Sequence, residues 1–291
     1  MSATLLNRSG GQLFLVSQTG GRTQFLPSVA RDLYTFSTFT FSNASATGNV
    51  GPTYAQVKTA YSATPWTQNQ AYLDVQTQGY QLWTVPTTSN YTIQIAGAAG
   101  GASPASNGLG NIISSTVSLT QGDKVTIIVG QKGLTGTAIG SGGGGGSFVF
   151  YSNGQPIICA GGGGGSSPGY PTFGPGINGT SSPAGTFDGG AQGSGGTNGN
   201  GGNVVNTGSQ GKGGAGAGVF SAGATSGGQP FAPVAYNGQG GLTYAQGFLG
   251  GAAGGYGFLY QGGIGGFGGG GGAGGSPDSR SCSGGGGGYS G

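Results

Sequence analysis

Histidine does not occur in this chain, glutamate does not occur either, and the single methionine is Met1. The usual general acids and bases of enzymes therefore reduce to aspartates, lysines and tyrosines. The aspartates, Asp32, Asp74, Asp123, Asp188 and Asp278, stand far apart and mostly in loop-like contexts. Cys159 and Cys282 are the only cysteines, and without histidine no zinc-ligand set can be drawn from them. Asp-rich calcium loops are absent as well. Matches to G-x-G-x-x-G lack the following helix and acidic residue of a dinucleotide site, and Gly211-Lys212 is followed by Gly213 rather than by Ser or Thr. The chain reads as a non-enzyme, with no catalytic residues, no cofactor and no metal.

Charge is equally scarce. Only 4% of residues are charged, with a net charge of +3. The basic residues Arg8, Arg22, Arg31, Lys58, Lys124, Lys132, Lys212 and Arg280 are scattered singly. A nucleic-acid surface needs them clustered, so no nucleic-acid partner is expected. No apolar run approaches the eighteen residues that mark a membrane span, so no membrane insertion is expected. The apolar stretch 13–16 is too short for a secretory signal, which points to a protein not exported by the usual route. Cys159 ends the apolar run 156–159 and reads as a small buried hydrophobe. Cys282, in a Ser-Cys-Ser turn, reads as free or bridged.

What the chain has is glycine: 76 of 291 residues, with 13 prolines. Composition of this kind is ordinarily a mark of disorder. The scarcity of charge and the 10% of aromatic residues argue for order instead. Residues 1–30 are short apolar patches between Gly-Gly turns and read as an anchoring or pairing segment. Residues 31–160 read as β structure. Tyr34, Phe36, Phe39 and Phe41 suggest a strand over 33–41 packed on both faces. Pro52, with Tyr54, Val57 and Tyr61 on one face, predicts a short helix over 53–61. Strands are expected at 80–85, 91–95, 112–119, 124–129, 148–151 and 156–159. Gln121-Gly122-Asp123 and Asn153-Gly154 serve as hairpin turns within this series. Short antiparallel strands with regular turns indicate a sandwich or jelly roll.

Residues 161–291 have neither periodicity. Glycine at this density is poor for helix or strand, but it suits the left-handed polyglycine-II helix, three residues per turn with no internal hydrogen bonds. Such helices can lie close enough to pair their backbone groups with neighbours, as every buried amide requires. The fold class is therefore mainly β: an antiparallel jelly roll or sandwich with one short helix, joined to a bundle of polyglycine-II helices. The bulkier residues between glycine runs are expected at turns or on the outside of that bundle.

The order of the non-glycine anchors resembles a known family, the glycine-rich extracellular module of the anaplastic lymphoma kinase and leukocyte tyrosine kinase receptors. The anchors are Gly51-Pro52-Thr53-Tyr54-Ala55-Gln56, Gln81-Leu82-Trp83-Thr84-Val85-Pro86, Tyr91-Thr92-Ile93 with Gly97-Ala98-Ala99-Gly100-Gly101, and Gly122-Asp123 with 127–131. They continue through 142–150, Asn153-Gly154, 157–165, 265–272 and 284–289. The resemblance covers about 50–291 and implies a tumour-necrosis-factor-like jelly roll on a hexagonal polyglycine-II array. It implies a fold and no ligand. Similar modules without a kinase occur in surface proteins of large DNA viruses and phages.

The expected function is accordingly that of a structural or surface protein of a virus particle, a minor capsid, spike or fibre component located on the virion surface. Its partners would be other proteins of the particle, a second copy of itself, and a host surface receptor. The alternatives are an extracellular binding or adhesin module, and a self-assembling fibre subunit in which residues 1–30 donate a strand to a neighbour. The candidate contact residues are the loop aromatics Tyr170, Phe173, Tyr236 and Tyr244. Caps on the ends of the glycine bundle are the other reading of the same four.

Overall fold

The computed structural model describes residues 4–7, 13–19, 22–25, 31–102, 106–137, 140–167, 174–185, 193–204, 213–227, 236–256, 260–275 and 282–291. The protein is mainly β, with antiparallel sheets and, among the described residues, one α-helix. Strands β1 (Thr4–Asn7), β2 (Leu13–Thr19) and β3 (Arg22–Phe25) form an antiparallel meander of their own. Helix α1 (Tyr54–Ala60) follows, then β4 (Leu73–Asp74) and β5 (Gln81–Thr84). The series continues with β6 (Ser89–Ala96), β7 (Ile112–Leu119), β8 (Lys124–Ile128), β9 (Ser147–Tyr151) and β10 (Pro156–Ala160). A five-stranded sheet has the order β10-β9-β8-β5-β4, and β6 and β7 pair as a two-stranded sheet.

The two sheets face each other as their alternation dictates. Tyr91, Ile93 and Ile95 of β6 share a face with Ile113 and Val117 of β7. They pack on Trp83, Val125, Ile127, Val149 and Ile158 of the larger sheet. The outward face of the pair is polar apart from Ile112 and Ala96, with Thr92 and Thr116 hydroxyls 3.3 Å apart. Asn153-Gly154 closes the β9–β10 hairpin, with Gly154 at φ 78°. The Gln121-Gly122-Asp123 turn does something other than the expected hairpin. β7 pairs with β6 and β8 pairs with β5 and β9, so this turn carries the chain from one sheet to the other. Asp123 Oδ2 accepts the Thr120 N–H at 2.9 Å, and the Gly122 N–H donates to the Val85 carbonyl at 2.9 Å, which fixes the crossing.

Residues 33–41 do not form the strand their alternation suggests. Side chains hold this segment instead of a ladder. Tyr34 stacks on Trp66 at 4.8 Å and receives the Trp83 indole N–H at 2.6 Å. Phe39 meets Phe41, Tyr61 and Trp66 edge-on at 4.9 to 5.0 Å. Aromatic contacts of this kind add about 0.5–1.5 kcal/mol each beyond area burial. The expected helix is present, and Val57 is fully buried beneath it. Its first turn is a capping box: the Gln56 N–H donates to Thr53 Oγ1 at 3.3 Å and the Thr53 N–H to Gln56 Oε1 at 2.8 Å. Thr53→Ala should cost about 1 kcal/mol, read as a fall of roughly 3 °C in the thermal midpoint.

Beyond β10 the regular elements are two-residue pairs, β11 (Gly193–Ser194) with β12 (Asn203–Val204) and β13 (Gly255–Tyr256) with β14 (Tyr260–Gln261). The glycine runs between them lie side by side and bond to one another. Residues 140–146 make the pattern plain. Ser141 and Gly144 donate to Ser166 and Gly163, Gly142 and Gly145 to Leu134 and Gln131, and Gly143 and Gly146 to Gly271 and Gly268, all at 2.8–3.0 Å. Donation thus rotates among three neighbours with a period of three residues. The carbonyls follow the same period. Gly140 and Gly143 accept from Gly263 and Gly266, Ser141 and Gly144 from Gly284 and Gly287, and Gly142 and Gly145 from Gly101 and Ala98. One run is therefore bonded to six others, three by its donors and three by its acceptors.

The close approach leaves no room for side chains. A Cβ built on Gly142, Gly143, Gly144 or Gly145 would fall on a carbonyl of Ile264, Gly285, Ala98 or Phe267 respectively. The bulky residues of this region stand at turns, as expected, since Phe267 opens the turn 267–269 and Phe248 follows the turn at Gly247, but they are not on the outside. Phe248 and Phe267 are fully buried, and with Val219 they pack on Ile128, Phe148 and Phe150. The five-stranded sheet is covered on both faces, by β6–β7 on one and by the glycine-rich region on the other.

Candidate functional site

The four loop aromatics do not gather into one site. Tyr170 and Phe173 lie outside the described residues. Tyr236 and Tyr244 are described, at opposite ends of the same run. The Tyr236 carbonyl receives the Gly275 N–H at 2.7 Å, at the end of the run that precedes Asn237. Tyr244 opens a short 3-10 turn, Tyr244–Gln246, where Gln246 Oε1 accepts the Thr243 N–H at 3.2 Å. Its ring lies 4.4 Å from Phe150 and stacks on Tyr80 at 5.1 Å, so it closes the aromatic core on the sheet's second face. The same four residues, Thr-Tyr-Ala-Gln, recur at 53–56 and 243–246, and each copy folds its glutamine back on the threonine amide. This short repeat was a readable signal of the second turn.

A cavity lies elsewhere. It has a volume of about 650 Å³ and is walled by β7, β10, the loop around Asn178 to Pro183, and Tyr289 near the C-terminus. Ile113 and Ser115 come from β7, and Ile157 and Cys159 from β10. None of the residues lining it is charged. Glycines 161 and 164 border the cleft, and they differ from their neighbours in having room. A Cβ would stand 3.6 Å from the nearest atom at Gly161 and 3.4 Å at Gly164. Sequence reasoning missed this space because its walls come from segments far apart in the chain. The one signal was the lack of any charge on Ile112–Leu119.

Cys282 and Cys159 both line the cleft outside any disulfide, and Cys159 belongs to β10. Burial pushes its pKa up to about 12. At neutral pH it stays a thiol, and the thiolate is the nucleophile. Iodoacetamide at pH 8 should therefore modify Cys159, in a Cys282→Ser background, at least about tenfold more slowly than free cysteine. Alkylation at the free rate would refute the burial. Of the carboxylates, Asp74 is buried. Burial opposes its ionisation, but hydrogen bonds from Gln70, the Val75 amide and Gln76, with Lys124 nearby, outweigh it and hold the carboxyl below its ordinary range.

Among the described residues no group of three His, Cys, Asp or Glu side chains is placed to hold a metal ion. No helix among them is long and apolar enough to cross a membrane. No protein-family model matches the chain.

Proposed function

We propose that this protein is a non-enzymatic structural or surface component of a virus particle, a minor capsid, spike or fibre protein displayed on the virion surface. In this reading the sandwich is a jelly roll of the kind the receptor glycine-rich modules imply, and the glycine block is a bundle of polyglycine-II helices. The observation that carries it is the three-residue rotation of hydrogen bonds about residues 140–146. Three residues per turn, with every backbone group turned outward to a neighbour, is the signature of that helix. The described glycine runs carry no charged residue, and their amides are bonded to other runs rather than offered to proteases. Those properties suit an exposed particle component. The partners would be other proteins of the particle, further copies of the chain and a host surface receptor.

A second reading, an extracellular adhesin or fibre subunit, is favoured by the uncharged cleft, a surface suited to an extended peptide. Immunogold electron microscopy of the source sample, with antibody against this chain, separates the two. Gold on regular particles is expected. Gold on cell membranes or on free filaments would overturn the virion reading in favour of the second.

A further inference from the structure

Both sheets of the sandwich end at the cleft. β10 is the terminal strand of the five-stranded sheet, and among the described residues β7 pairs only with β6. Ile113, Ser114 and Ser115 all line the cavity, as do the four residues from Pro156 to Cys159. Successive residues of a strand point to opposite faces. They line one space together only when that space lies along the strand's edge. The cleft is therefore the open side of the sandwich.

Natural proteins guard such edges with a charge, a proline or a bulge. β10 has Pro156 and a register irregularity beside it. β7 has none of the three over its eight residues, and β6 beside it is equally bare of charge and proline. An unguarded edge of this length is a template for another strand.

The chain carries a strand of matching character. Among the described residues the β1–β2–β3 meander pairs with no other sheet, and β1 is one of its edges. β1, Thr-Leu-Leu-Asn, is short and uncharged, whereas the other edge, β3, opens on Arg22. Burying an unpaired arginine in an uncharged cleft would be costly, which selects β1. A sheet of three short strands needs a buried hydrophobic face for independent stability, and extending another sheet supplies one.

We propose that the β7 edge accepts β1 of a second copy by strand addition, so that the meander of one copy completes the sandwich of the next. Donor and acceptor are different surfaces of the molecule. The contact is heterologous, and it closes as a reciprocal dimer or ring or runs on as a filament. It does not depend on where the protein resides, so the microscopy above can fail while this stands, and the reverse.

The test uses the full chain with a benzophenone photo-cross-linking residue at Ser115, which is exposed. Irradiation at micromolar concentration should give a covalent product of two or more chains whose joined peptide contains residues 4–7. Ser115→Lys, which places a charge on the edge, and Leu5→Lys, on the donor, should each weaken self-association in sedimentation at least about tenfold. Cross-links confined to one chain would overturn the proposal. So would a protein that sediments as a monomer at every concentration, or association untouched by either lysine.

Discussion

Gly144→Ala is expected to lower the thermal midpoint by roughly 10 °C or more, while Gly164→Ala leaves it unchanged or slightly higher. Both substitutions add one methyl group to a glycine run, so propensity alone predicts the same outcome for each. The surroundings differ. At Gly144 the added carbon would fall on the Ala98 carbonyl, with the Ala99 carbonyl oxygen 2.5 Å away. Neither is a side chain that can swing aside. The run would have to move, and with it the bonds from Gly144 to Gly163 and from Gly287 to Gly144. Overpacking typically costs about 1–3 kcal/mol, and each buried backbone group left unpaired about 1–3 kcal/mol more. At Gly164 the nearest atom to an added carbon is the Ile177 nitrogen at 3.4 Å, an ordinary contact. There alanine mainly restricts the unfolded chain, a gain of about 0.4–1 kcal/mol where the backbone suits it. Thermal melts followed by circular dichroism separate the cases. Equal, small effects at both positions would mean that the runs are loosely associated and that the threefold rotation does not hold the block together.

The local elements were legible in the sequence wherever one short signal dominates. Alternation predicted β6, the Gln121-Gly122-Asp123 turn predicted β7, Asn153-Gly154 predicted the β9–β10 hairpin, and Pro52 with a buried stripe predicted α1. Pairing across distance was less legible. A Gly-Asp turn between two strands is compatible with a hairpin and with a crossing between sheets, and only the partners of β7 and β8 decide which. β7 finds β6 across the excursion 97–111, whose ends are joined by the Gly97 N–H to the Asn111 carbonyl at 2.9 Å. The segment 33–41 has a strand's alternation, but its rings find Trp66, Trp83 and Tyr61 without a ladder. Tyr236 and Tyr244 stood out as loop aromatics, and nothing in the surrounding glycines told which end of a run each would occupy. The cleft was invisible for a related reason, since an edge is defined by what does not pair with it.

Phe248→Ala should destabilise the protein by about 3–5 kcal/mol, the usual cost of removing a buried phenyl ring. The ring is fully buried and stacks on Phe148 at 4.3 Å, with 12° between the planes. It joins the glycine-rich region to the central sheet, so its loss removes contacts on both sides at once. The backbone supplies a sharper test. Phe248 sits at φ 48°, a left-handed conformation that side chains rarely adopt, at a cost on the order of 1–3 kcal/mol. Its amide donates to the Thr243 carbonyl at 2.8 Å, and its carbonyl accepts from Gly268 at 2.9 Å and Gly269 at 3.1 Å. These bonds over-determine the turn, and the ring is what makes a non-glycine residue worth holding there. Phe248→Gly also removes the ring but releases the strain. It should therefore be the more stable of the two variants, by about 1 kcal/mol, reversing the usual preference for alanine over glycine. Equilibrium denaturation of the wild type and both variants gives the two differences. An alanine variant within 1 kcal/mol of wild type would mean that the sheet and the glycine-rich region do not share this core. An alanine variant more stable than the glycine one would mean that the turn at Phe248 carries no strain, and that its left-handed backbone is set by the ring alone.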